Sequence, residues 1–265
     1  MTVNIHASTT GSGPDVILIH GLFGMGSNLG ALARVLQDQF TVHSLDLPNH
    51  GNSGWVDSVD IPAMAAAVLA WMDQLNMPSV SLVGHSLGGK VAMELALQHS
   101  QRIQALVVAD IAPVLYPAGH ANEFAALNAV AQAKCGSRTE ARQIMSRHVH
   151  EDAIVQFLAK NLGRSEDGSY GWKFNLDGVR ASYDAIRAGI ESREPYEKPV
   201  LFIKGGDSNY IQESHRARIT QLFPAAALKV IPGCGHWLHA QQPRLFNNLV
   251  VRFLSTHCLT QKKTK

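Results

Sequence analysis

The chain has 265 residues, 46% of them hydrophobic and 17% charged, with a formal net charge of +2. That is enough apolar material for one large core. It is too little charge to argue for nucleic acid or an anionic membrane as a partner.

Three cysteines, Cys135, Cys234 and Cys258, are odd in number and widely spaced, with no C-x-x-C. They predict a reduced, cytoplasmic protein without structural disulfides or a zinc site. Met1–Thr10 lacks the basic and apolar regions of a secretory signal. No apolar run approaches the roughly 20 residues needed to span a bilayer. Lys262, Lys263 and Lys265 form the one basic run, read as a solvated tail.

In chain order, Val16–His20 is a continuous apolar run between Gly13-Pro14 and Gly21, which suits a strand buried on both faces. Leu29, Leu32, Ala33 and Leu36 then fall at helical spacing within 28–37, and Phe40–Leu45 reads as a second strand. Asp60 is a candidate cap for the next helix, with Pro62 tolerated in its first turn. Ile61, Met64, Val68, Trp71, Met72 and Leu75 make one apolar stripe on it. Strand Val80–Val83, helix Leu87–Gln98 and strand Ala105–Ala109 follow. This alternation predicts an α/β fold with a mostly parallel central sheet flanked by helices.

The rhythm stops after Pro113. Four helix-like stretches, 123–132, 139–147, 152–161 and 177–191, carry no clear buried strand among them. Strand signal returns at Val200–Ile203 and Ala227–Ile231, and a helix follows Pro243. Because core strands lie on both sides, 115–197 is expected to be an inserted helical lid, and 1–114 and 198–265 the two parts of one core.

The decisive motif is Gly84-His85-Ser86-Leu87-Gly88, a G-x-S-x-G between a buried strand and a helix. A serine on so tight a turn is pushed out toward substrate, and glycines keep Cβ atoms out of the elbow. The helix N-terminus beneath it favours developing negative charge. A mere turn serine is the competing reading, and the strand–turn–helix setting weighs against it.

Acyl chemistry also needs two N–H donors aimed at an oxyanion. Leu87, after the nucleophile, is one. Leu22, in the His20-Gly21-Leu22-Phe23-Gly24 loop at a strand's C-terminal end, is the other. His236, in Gly233-Cys234-Gly235-His236, is the expected general base, since a near-neutral imidazole can take the serine proton and return it to the leaving group. His239 is its nearby competitor, and His20 and His85 are expected to shape loops. For the acid that orients the base, the residues leave two candidates, Asp110 and Asp207, each at the end of a strand. Asp46 is expected to order its own loop. No ligand cluster implies a metal or organic cofactor.

These motifs, with Asp46-Leu47-Pro48-Asn49-His50-Gly51, resemble the α/β-hydrolase superfamily over nearly the whole chain. Asp110-Ile111-Ala112-Pro113, Trp172-Lys173-Phe174-Asn175-Leu176 and Lys204-Gly205-Gly206-Asp207-Ser208 resemble, more narrowly, small bacterial esterases of the YbfF type. Most superfamily members carry the acid after the later strand as G-x-x-D, where this chain has Ser208. The narrower resemblance implies Asp110 as the acid, with Ser208 assisting and Asp207 as the alternative. It also implies a lid over an acyl pocket and cleavage of a small-molecule ester or acyl thioester. Competing readings are cleavage of a carbon–carbon bond in a diketone and a catalytically silent binding protein. An aspartate-dependent epoxide hydrolase or dehalogenase is disfavoured by Ser86.

Overall fold

The computed structural model describes residues 3–165 and 168–259, so the basic run Lys262, Lys263 and Lys265 lies outside the described residues. In chain order the first elements are β1 (Ala7–Thr10), β2 (Asp15–Ile19), α1 (Gly30–Leu36), β3 (Thr41–Leu45), α2 (Ile61–Gln74), β4 (Val80–His85), α3 (Leu87–Gln98) and β5 (Ile103–Ala109). An inserted stretch follows, with α4 (Ala121–Ala133), α5 (Arg138–Met145), α6 (Asp152–Lys160), β6 (Leu162–Arg164), β7 (Tyr170–Trp172), α7 (Leu176–Ala181) and α8 (Tyr183–Ile186). The chain then completes β8 (Val200–Gly205), α9 (Arg216–Leu222), β9 (Ala226–Ile231), α10 (Leu238–Gln241) and α11 (Pro243–Leu254).

Seven strands form one sheet in the order β1-β3-β2-β4-β5-β8-β9. Only β1 runs antiparallel, against β3, and the other neighbours are parallel. Apolar runs suit such strands because both faces are covered. The pleat sorts them: Ile17 and Ile19 of β2 pack with α2 and α3, whereas Val16 and Leu18 pack with α1 and α11. Asp60 caps α2 by accepting the Ala63 N–H at 2.8 Å, with Pro62 in the first turn. Phe246, Val250 and Leu254 of α11 are each fully buried against the second face. Each such side chain contributes ~1.5–3 kcal/mol by leaving water.

The stretch between β5 and β8 adds no strand to this sheet. It builds a third apolar cluster of its own, around Leu127, Val130, Met145, Leu158 and Phe174, and Phe23 reaches into it from the loop after β2.

Three details differ from the sequence reading. β1 is an additional strand, mostly exposed. The insert, expected to carry no clear buried strand, contains the short, mostly half-exposed β6–β7 hairpin. The helix expected over 177–191 is two short helices, α7 and α8. They meet at Ser182, whose hydroxyl donates to Gly178 O at 2.6 Å and accepts the Val59 N–H at 2.9 Å. A serine that bonds back to its own helix and out to a neighbour competes with continued helical pairing. Among the described residues, no helix is long and apolar enough to cross a membrane.

Candidate active site

Ser86 occupies the turn between β4 and α3 with φ 53° and ψ −120°, a left-handed conformation that a non-glycine residue adopts at a cost. The turn is so tight that a Cβ on Gly84 would lie 2.2 Å from Gly88 O, and one on Gly88 2.2 Å from Ile19 O. Glycine is therefore a steric requirement at both places. The Ser86 N–H donates to Ala109 O at 3.0 Å, which ties the elbow to β5.

His236 lies in the loop between β9 and α10. Its Nε2 is 3.0 Å from Ser86 Oγ and its Nδ1 is 2.8 Å from Asp110 Oδ2. Asp110, directly after β5, is fully buried. Its Oδ1 accepts the Gly205 N–H at 3.0 Å, and its Oδ2 also accepts the Ser208 hydroxyl. Gly205, Ser208 and His236 thus surround this buried carboxylate, as a buried polar group requires. Of the two acid candidates, the structure thus brings Asp110 to His236. Asp207 is exposed, and its main-chain N–H donates to Cys234 O at 2.9 Å. Asp46 accepts from the main-chain N–H of Asn52 in its own loop at 2.9 Å and also from that of Gly26 in the loop after β2 at 2.7 Å, so it ties two loops together.

The remaining histidines surround this line. His20 accepts the Leu47 N–H on Nε2 at 3.0 Å, so its Nδ1 carries the proton and donates to Gly21 O at 2.8 Å. His85 donates from Nε2 to His236 O at 2.8 Å, fixing the His236 main chain. Burial, then the neighbouring His239 and His236, push His85 well below the usual imidazole range. His239, on α10, packs its ring 4.4 Å from His85, and burial pulls it down to about 4. Leu22 and Leu87 both border Ser86, and neither main-chain N–H has an acceptor among the described residues.

Three further residues escaped the sequence reading. Tyr210 stacks on His236, centroids 3.8 Å apart and planes 18° apart, and it lies only two residues beyond Ser208. Lys90 is one turn beyond Ser86 on α3 and is 2% exposed. Its ammonium donates to the carbonyls of Val114 (3.0 Å), Arg187 (2.8 Å) and Ala188 (2.5 Å). Burial and the Arg187 guanidinium pull it down to about 7, while the three carbonyls favour its charged form. Its i+4 spacing from Ser86 was the available signal. Glu123, in the first turn of α4, is the third.

Two compartments meet at Ser86 and Leu22. One, of about 330 Å³, is lined by Leu87, Ile111, Leu115, Tyr116 and Ile186, with Lys90 and Arg187 deeper in its wall. The other, of about 210 Å³, is lined by Phe23, Glu123, Ile154, Phe157, His236 and Trp237. The arrangement supplies a half-buried hydroxyl facing the compartments, an imidazole able to receive its proton, a buried carboxyl group behind that imidazole, and donors beside it.

Comparison with known proteins agrees with this fold. The family model described as "Alpha/beta hydrolase family" matches residues 16–249. Esterase YbfF of Escherichia coli (strain K12) is 37% identical over 96% of this chain and 100% of its own length. The sn-1-specific diacylglycerol lipase ABHD11 of Mus musculus is 38% identical over 91% of this chain and 81% of its own. A solved structure, "Marine microorganism esterase", superposes with a TM-score of 0.91 at 37% identity, covering 95% of this chain and all of that one. With its sheet order, its serine elbow and these relatives in view, the chain belongs to the α/β hydrolase family.

Proposed function

We propose that the protein is a serine esterase that cleaves small-molecule carboxylic esters, and acyl thioesters by the same route, through an acyl-enzyme. The observation that carries this reading is the imidazole of His236, within 3.0 Å of Ser86 Oγ on one side and 2.8 Å of Asp110 on the other. Ser86 Oγ attacks the acyl carbon as His236 Nε2 takes its proton. The Leu22 and Leu87 N–H groups receive the oxyanion. Asp110 holds the Nδ1–H tautomer and stabilises the imidazolium, and Ser208 holds Asp110. His236 then returns the proton to the leaving alcohol or thiol, and the acyl group stays on Ser86. Water, deprotonated by His236, attacks the ester so formed and releases the carboxylic acid.

Residues 115–197 act in this reading as a lid on a core made of 1–114 and 198–265. The support is that they line both compartments and that most of their apolar side chains, from Leu127 to Val179, pack in a cluster apart from the two on the sheet. Three buried, unpaired thiols support a reducing, cytoplasmic setting.

A panel of 4-nitrophenyl acyl esters and acyl-CoA thioesters, with fluorophosphonate labelling, tests the proposal. Wild type is expected to turn over and to take the label, and Ser86→Ala to do neither while keeping its fold. Turnover by Ser86→Ala at wild-type rates would remove the nucleophile assignment.

A further inference from the structure

The two compartments are not equivalent for an ester held at Ser86. The acid that protonates the leaving group is His236, so the leaving oxygen or sulfur departs on the His236 side. His236 and Trp237 border the 210 Å³ compartment and not the 330 Å³ one. The acyl group therefore occupies the larger, more apolar space beside Leu87 and Ile111, and the leaving group occupies the smaller one.

The titratable residues lining the leaving-group compartment are His85, His120, Glu123, Tyr210 and His236. Burial lowers His85 well below its usual range and His120 to about 4, so both are neutral in mildly alkaline buffer. Tyr210 is pushed up to about 12 by burial, with Tyr183, Glu123 and Asp110 adding to it, and keeps its proton. Burial, then the Glu151 carboxylate, raise Glu123 from its usual value. Among the described residues, neither lysine nor arginine lines this space. The 330 Å³ compartment is lined instead by Lys90 and Arg187, whose donors go to main-chain carbonyls and to Asp184.

Resting on the esterase reading, we infer that Glu123 selects the leaving group by charge: its carboxylate, with no lysine or arginine among the described residues lining the compartment beside His236, admits neutral and cationic alcohols and discriminates against anionic ones. In a confined, partly desolvated space a like charge is repelled far more than in water, and rejection of the wrong charge is an efficient source of specificity. The helix α4 that carries Glu123 places it where the departing group sits, and not where the acyl chain lies.

The test uses two matched pairs of butyrate esters. One is 4-nitrophenyl butyrate against 5-butyryloxy-2-nitrobenzoate, the same nitrophenol bearing a carboxylate. The other is butyrylcholine against its neutral isostere, 3,3-dimethylbutyl butyrate. Wild type is expected to show kcat/KM at least tenfold lower (about 1.4 kcal/mol) for the carboxylate-bearing phenol, and no lower for choline than for its isostere. Glu123→Gln should narrow the first ratio to within about threefold. A carboxylate moved to the far end of the acyl group, in mono-4-nitrophenyl glutarate, should be indifferent to this substitution. Should Glu123→Gln fold poorly by circular dichroism, Glu123→Ala gives the same comparison.

Equal rates for the charged and uncharged phenols in wild type, or an unchanged ratio in the folded variant, would overturn the inference. So would a response that follows the acyl-end carboxylate. Those results leave ester hydrolysis itself standing. Absence of all turnover and of fluorophosphonate labelling would instead remove the esterase reading.

Discussion

Replacing Asp110 by asparagine should cost about 10⁴ in kcat while leaving the fold intact, for a reason set by the neighbours of that carboxylate. Oδ1 accepts from the Gly205 N–H at 3.0 Å, and a main-chain amide can only donate. The asparagine oxygen is thereby pinned at that place, which puts its NH₂ where Oδ2 now faces His236 Nδ1 at 2.8 Å. Ser208 can adapt, because a hydroxyl can rotate from donor to acceptor. His236 cannot donate to an NH₂ group, so its Nδ1 must lose its proton and Nε2 must gain one. An Nε2–H facing Ser86 Oγ is a donor and no longer a base. Loss of the tautomer in a comparable triad costs about 10⁴ in turnover, about 5.4 kcal/mol of transition-state stabilisation. The assay is steady-state hydrolysis of 4-nitrophenyl butyrate by wild type, Asp110→Asn and Asp207→Asn, with thermal melts of all three. Asp207→Asn should stay within about threefold of wild type, since Asp207 faces solvent. More than a tenth of wild-type kcat in folded Asp110→Asn, or an equal loss at Asp207, would refute the reasoning.

Gly88→Ala should lower stability by about 3 kcal/mol or more, because its Cβ would sit 2.2 Å from Ile19 O and 2.5 Å from His20 O, both main-chain atoms of or beside β2; calorimetry should show Tm about 10 °C lower, and an unchanged Tm would mean the elbow has slack. Cys135, Cys234 and Cys258 are buried, and burial raises each thiol's pKa, so Ellman's reagent should titrate none in the native protein and all three after denaturation. Burial lowers His120 and His239 to about 4 and His50 to about 3, so between pH 6.5 and 4 the unfolded chain binds protons that the native one refuses. Stability therefore rises with pH across that window and is lost as pH falls through it. Near pH 5 these three histidines alone should take up about three protons on unfolding, a slope of about 4 kcal/mol per pH unit measurable by urea denaturation, and buried His85 and His20 steepen it in the same direction.

What the sequence exposed and what it hid follow from physical signal strength. The central strands were legible because burial on both faces demands unbroken apolar runs, as in Val16–Ile19 and Val80–Val83. The elbow was legible because steric crowding leaves glycine alone at 84 and 88. β1, Ala-Ser-Thr-Thr, has one partner and little burial, so no periodicity marks it. The β6 and β7 strands have three residues each, shorter than any pattern can register. At the site, spacing placed Asp110 and Asp207 equally at strand ends. The resemblance to YbfF-type esterases favoured Asp110, and the register of β5 and β8, which sets the Gly205 N–H against its carboxylate, gives the physical reason. Lys90 was missed because a lysine in an amphipathic helix normally faces water, whereas α3 is enclosed nearly all round.

Lys90 has a mechanical consequence. Val114 leads into the inserted stretch and Arg187 and Ala188 lead out of it, so one ammonium clamps both feet of the arch to the helix behind Ser86. Walls built near the feet, at Leu115, Tyr116 and Ile186, inherit that stiffness, while Glu123, Ile154 and Phe157 ride on the span between. Rigidity is thus unevenly shared: the compartment proposed for the acyl chain is braced, and the side toward His236 is tied down by fewer such bonds. Amide exchange in α4 and α6 should accordingly outpace that at 114–116 and 186–188, marking the side on which an alcohol departs and a water arrives.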